Sequence, residues 1–185
     1  ESRQRHTQRT ETRLPPPTYT KFFGMDEKVA EIQEKLTGDA GPWILALEGM
    51  GGVGKTSLAH VLARKLARDV HFREIGWISA QQRLFRLAGE IDDLAPVPSL
   101  TYEGLIDQLI DQFDLAALKR RPSAEKRIGL KAYLNERPCL IVVDNLETLS
   151  DYRALVTQLR ALINPSKFLL TTRYSLRGET GVHIS

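Results

Sequence analysis

A single cysteine, Cys139, occurs in the 185 residues. No intramolecular disulfide can form, and a cysteine-based zinc site lacks its ligands. Cys139 opens an apolar run, which marks it as a buried core thiol and fits a reducing compartment. His6, His60, His71 and His183 show no metal-ligand spacing. No stretch approaches the roughly 20 continuous apolar residues of a membrane helix. The first residues are charged throughout, unlike a signal peptide, so a cytoplasmic chain with no membrane partner is expected. Excess charge is scarce too: 26 Lys and Arg against 23 Asp and Glu leave +3 at neutral pH. That is too little for a concentrated basic nucleic-acid face, and Arg3, Arg5, Arg9 and Arg13 read as a solvated tail. Nucleic acid would be reached only through an attached domain.

What is present is globular material, 42% hydrophobic and 26% charged, enough to close the core of one domain. Residues 1–17 lack hydrophobic periodicity and end in Pro15-Pro16-Pro17, which favour extended geometry. They read as a linker, and 18–185 as the folded domain. A chain that opens at Glu1 and stops just after a strand-like segment is read as a fragment of a longer one.

From there strand-like and helix-like segments alternate. Short apolar runs predict strands over 43–47, 75–79, 140–143, 168–171 and 182–184. Helical spacing predicts helices over 26–36, 55–67, 101–118 and 123–134. A further helix, capped by Ser150, turns Tyr152, Leu155, Val156, Leu159 and Leu162 inward and stops at Asn164-Pro165. Residues 81–95 give mixed signals, and Pro96-Val97-Pro98 is a loop. Alternation of this kind implies an α/β fold, a parallel sheet with helices on both faces. Ligands of such sheets bind beyond the C-terminal ends of the strands. Three polar clusters converge there: the loop after the first strand, Asp144 after the third, and Thr171-Thr172-Arg173 after the fourth.

The first cluster, Gly49-Met50-Gly51-Gly52-Val53-Gly54-Lys55-Thr56, matches G-x-x-x-x-G-K-[ST] in full, between a strand and a helix. Its glycines let successive N–H groups turn inward around phosphate oxygens, and the helix that follows adds its positive end. Lys55 is placed to reach β- and γ-phosphates, the Thr56 hydroxyl to hold Mg²⁺, and Ser57 to meet the α-phosphate. Asp144 ends Leu140-Ile141-Val142-Val143, as a magnesium carboxylate of a phosphate-loop protein should. The next residue, Asn145, can orient water but cannot take its proton; Glu147 is the nearest alternative acid. Arg173 could read a γ-phosphate with its planar fork, or be an ordinary surface arginine.

Together these motifs resemble the signal-transduction ATPases with numerous domains, STAND proteins, and within them the NB-ARC type. The matching segments are Gly49 through Ala59, Leu140 through Asn145, and Leu169 through Arg173. Phe22-Phe23-Gly24-Met25-Asp26 is similar to the family's hydrophobic-Gly-Arg-Glu entry motif, whose backbone lies beside adenine, with Met25 in place of the arginine. Asp144-Asn145 is similar to bacterial members, where plant members carry a second acid. The resemblance implies a three-layer α/β sandwich with a five-stranded sheet in order 2-3-4-1-5. It also implies ATP or ADP with Mg²⁺ as cofactors, a slow ATPase, Arg173 as sensor, and self-association of the ATP-bound full-length protein. Effector and sensor modules would lie in the same chain. Two other readings stay open: a small-molecule kinase on the same loop, and a nucleotide-dependent interaction module that scarcely hydrolyses.

Overall fold

Consecutive residues of a strand point to opposite faces of its sheet, and in this chain both faces are covered. The computed structural model describes residues 12–17, 24–39, 41–80, 100–176 and 178–184. Five strands, β1 (Ile44–Glu48), β2 (Glu74–Ser79), β3 (Cys139–Asp144), β4 (Lys167–Thr172) and β5 (Thr180–His183), pair in parallel in the order β2-β3-β4-β1-β5. This is the order the resemblance implies. Every residue of β3 and β4 is buried, which is why these strands read as unbroken apolar runs rather than alternations.

Leu45, Leu47, Leu140, Val142 and Leu169 face one side. There they pack under α1 (Asp26–Thr37), through Val29, Ile32 and Leu36, and α2 (Lys55–Ala67), through Leu58, Leu62 and Leu66. Their neighbours Ala46, Ile141, Val143, Phe168 and Leu170 face the other side. That side is covered by α3 (Tyr102–Gln112), α4 (Ser123–Glu136) and α5 (Tyr152–Leu159). Helices, sheet and helices make three layers. Cys139 is fully buried, and burial pushes its thiol up to about 12, which leaves it an inert core residue.

Several boundaries differ from expectation: α5 ends at Leu159, short of Asn164-Pro165, β5 runs Thr180–His183 rather than 182–184, and three others differ for local reasons. Helix α3 ends at Gln112 instead of continuing to 118, because Asp114 turns left-handed (φ 55°) and Leu115 N–H donates to Ile110 C=O at 2.9 Å. Leu115 and Leu118 still pack on the core, which is why their spacing mimicked a longer helix. Asp151, not Ser150, caps α5, accepting from Ala154 N–H at 3.3 Å. Trp43 precedes β1 rather than opening it, and Lys167 Nζ sits 5.2 Å from its ring centre. The readings for 81–99 fall on residues outside those described.

The tail does not stay clear of the domain. Leu14 is buried among α1, α2 and the sheet, Arg13 pairs with Glu74 at the start of β2, and the Pro15 carbonyl lies 2.7 Å from His60 Nε2. Residues 13–15 therefore strap the β2 edge, where composition alone suggested only linker. His60 also meets Trp77 edge-on at 5.8 Å. Burial pushes the His60 pKa down; the Pro15 carbonyl opposes this and the Arg64 charge adds to it. An unfolded chain thus takes up a proton near the ordinary histidine range that the folded one still refuses, so stability falls as pH drops through that window. The urea midpoint is expected to fall between pH 7 and pH 5.5 more steeply in the wild type than in His60→Gln. Equal slopes in the two proteins would exclude His60 as the group responsible.

Candidate functional site

The chain leaves β1 at Glu48 and doubles back through Gly49-Met50-Gly51-Gly52-Val53-Gly54 before α2 begins. Gly52 and Gly54 take φ values of 84° and 89°, a left-handed backbone that L side chains rarely adopt. Val53 turns its side chain onto the core while Met50 is exposed, so the loop is anchored on one side and open on the other. Lys55, the first residue of α2, is buried, and its Nζ donates to the carbonyls of Gly49 (2.8 Å) and Met50 (2.7 Å). Burial pushes its pKa down, Glu147 opposes that, Arg173 adds to it, and Asp144 opposes it again.

Beside it, Thr56 Oγ1 donates to Asp144 Oδ1 at 2.8 Å. Asp144 ends β3, and its carboxylate also accepts from Thr171 Oγ1 (2.5 Å) and from Asn145 Nδ2 (3.1 Å). Thr171 in turn accepts from the Asn145 backbone N–H at 2.9 Å. Burial nonetheless pushes the Asp144 carboxyl up, outweighing the hydrogen bonds that favour its charged form. Asn145 gives one N–H of its amide to Asp144 and still lines the cavity described below.

Arg173 follows β4, and its guanidinium lies over Gly51: a Cβ there would sit 3.1 Å from it. Its Nε pairs with Glu147 Oε1 at 3.1 Å. Gly51, Gly52, Gly54, Lys55, Thr56, Ser57, Asn145, Glu147 and Arg173 together wall a cavity of about 230 Å³. The structure thus brings together the loop, the β3 end and the β4 end, as the sequence expects. Gly49, Met50, Val53 and Gly24 are not among the walls, and Asp144 lies behind Thr56 rather than in the wall itself. Gly24 has φ 75° just before α1, and Phe22 and Phe23 lie outside the described residues. Sequence reasoning missed Thr171 as a partner of Asp144. The signal available was a hydroxyl residue at the end of the strand next to β3.

A second cavity, about 300 Å³, lies between α5 and Ser175, Leu176 and Glu179, and shares no wall with the loop.

A family model for the NB-ARC domain matches residues 25–177. The chain belongs to the NB-ARC family. As an NB-ARC domain it is a nucleotide-binding module with a phosphate-loop fold. No curated protein sequence matches this NB-ARC domain. Among solved structures, a chain of Drosophila ORC bound to DNA superposes with TM-score 0.52 at 13% identity, over 99% of this chain and 47% of that one. At such identity the likeness is one of fold alone, and the NB-ARC domain spans about half the length of that chain. No helix among the described residues is long and apolar enough to cross a membrane.

Proposed function

We propose that this chain is the ATP- and ADP-binding switch domain of a multidomain signalling ATPase of the STAND type. In this reading, exchange of ADP for ATP governs self-association and activation of an attached effector. One observation carries it: Lys55, the Thr56–Asp144 pair and the Arg173–Glu147 pair converge on one cavity at the C-terminal edge of a parallel sheet.

The residues fit a polyphosphate. Gly52 and Gly54 have the backbone that lets N–H groups face an anion, and α2 presents its N-terminus just behind them. Lys55 Nζ rests on two loop carbonyls, contacts that phosphate oxygens can replace at similar distance. The residues also fit Mg²⁺. Thr56 Oγ1 and Asp144 Oδ1 are hard oxygen donors 2.8 Å apart, the donor type that Mg²⁺ takes. When bound, that ion supplies charge that neutralises the phosphates. Asp144 and Thr56 would hold it, and Thr171 and Asn145 fix the plane of the carboxylate. Lys55 would bind the terminal phosphates, Ser57 the α-phosphate, and Arg173 would read the γ-phosphate. Gly24, with Phe22 and Phe23, would flank adenine as in the resembling proteins.

Asn145 offers no base, and one N–H of its amide is already given to Asp144. Hydrolysis is therefore expected to be slow, well below the roughly 1–100 s⁻¹ of kinases. Single-turnover assays with radiolabelled ATP, with and without small-molecule acceptors, test this. Turnover of several per second, or efficient phosphate transfer to an acceptor, would replace the switch by an enzyme of another kind.

A further inference from the structure

Glu147 sits where neither the phosphate loop nor the β3 motif would put an acid. Asn145 turns left-handed (φ 60°), a one-turn helix follows at Leu146–Thr148, and the side chain comes back over the sheet edge, 11% exposed. Oε1 pairs with Arg173, but Oε2 is buried with no hydrogen-bond partner among the described residues. An unsatisfied carboxylate oxygen is an unfavourable thing to bury and points to a role beyond packing. The charge reaches Lys55 in the cavity wall and Asp144 behind Thr56. Behind the larger effect of burial on each, it favours the ammonium form of Lys55 and opposes ionisation of Asp144. Glu147 thus answers, from inside the protein, part of the positive charge that Lys55 and Arg173 would otherwise offer to a phosphate.

We propose that Glu147 sets the nucleotide preference of this cavity by competing with the terminal phosphate for Arg173, which holds the triphosphate back relative to the diphosphate. The inference rests on the nucleotide-switch reading. A triphosphate carries one more negative group toward Arg173 than a diphosphate does, and that group must draw Arg173 away from the carboxylate it already pairs with. Across a few ångströms of partly desolvated cleft, giving up such an ion pair changes affinity on the order of tenfold. That cost falls less on a ligand whose last phosphate stops short. Arg173 is 61% exposed, so its outer N–H groups remain free to turn once the pair loosens.

Titration calorimetry of wild type, Glu147→Gln, Arg173→Ala and the double variant, with ATP and with ADP in the presence of Mg²⁺, tests this. Glu147→Gln keeps the shape and removes the charge. It should raise the ATP-over-ADP affinity ratio on the order of tenfold, and the gain should vanish when Arg173 is already alanine. A purely structural role for Glu147 would move both nucleotides together. An unchanged ratio, a shift toward ADP, or the same gain without Arg173 overturns the proposal. Should Glu147→Gln fail to fold, Glu147→Asp decides: it withdraws the carboxylate by one methylene and should shift the ratio in the same direction by less. Wild type that binds neither nucleotide would sink the switch reading and this inference with it. Wild type that binds both, with no response of the ratio, would sink the inference alone.

Discussion

Lys55→Ala is expected to weaken ATP and ADP binding on the order of a hundredfold while leaving the fold intact. Its ammonium is the one side-chain cation that the loop itself contributes, and a charged hydrogen bond to phosphate in a partly buried site is worth up to about 3 kcal/mol. Stability should change little for two reasons. The partners of Lys55 Nζ are loop carbonyls beside the exposed Met50, which water can reach once the side chain is gone. Burial also disfavours the charged amine, so its removal relieves part of a desolvation cost. Calorimetry measures the affinity and a thermal melt measures the fold. Unchanged affinity in a folded variant would remove Lys55 from the site. Lost affinity with a collapsed melt would instead show that Lys55 holds the loop together.

Asp144→Ala should separate metal from nucleotide. Wild type is expected to bind ATP on the order of tenfold more tightly with Mg²⁺ than with a chelator present, because Thr56 and Asp144 would hold an ion whose charge favours the phosphates. In the variant that ratio should fall close to one, since the loop backbone and Lys55 are untouched. Stability responds in two opposite ways. Thr171 Oγ1, almost fully buried, loses its acceptor, at a cost of about 1–3 kcal/mol. A carboxylate that burial holds partly against ionisation disappears, which offsets some of that loss. Asp144→Asn controls for this, because it keeps an acceptor for Thr171 and removes only the charge. A variant that retained the wild-type metal ratio would rule out Asp144 as the magnesium carboxylate.

Much of the frame was legible because burial on both faces of a parallel sheet leaves a simple mark, the unbroken run of Leu140 to Val143 or Phe168 to Leu170. The loop was legible because its chemistry forces glycine at positions such as Gly52 and Gly54. Other features leave no such mark. Whether Glu147 faces the cavity depends on a left-handed turn at Asn145, a conformation that asparagine tolerates but does not announce. Where α3 stops depends on Asp114 in the same way, and the apolar spacing beyond it is indifferent to the break. Leu14 is one apolar residue in a polar, proline-ended stretch, and no periodicity can flag a single anchor. Side-chain pairs between distant segments, Arg13 with Glu74 or Arg173 with Glu147, exist only once the fold has brought them together.

The strap at residues 13–15 grips the β2 edge, and β5 forms the opposite edge of the sheet. Four strand spacings, about 19 Å, separate those edges. Tension applied between residue 12 and residue 184 would therefore run across the strands, along the hydrogen bonds that join them. Loaded in that direction, a sheet peels open bond by bond instead of resisting as one sheared block. The strap is held by one buried leucine, one ion pair, the Arg13 guanidinium over the Phe113 ring and the His60 contact, so it would yield before the sheet does. Residues 13–15 would act as a mechanical fuse, letting go at low force and leaving the strands that carry Lys55, Asp144 and Arg173 in register.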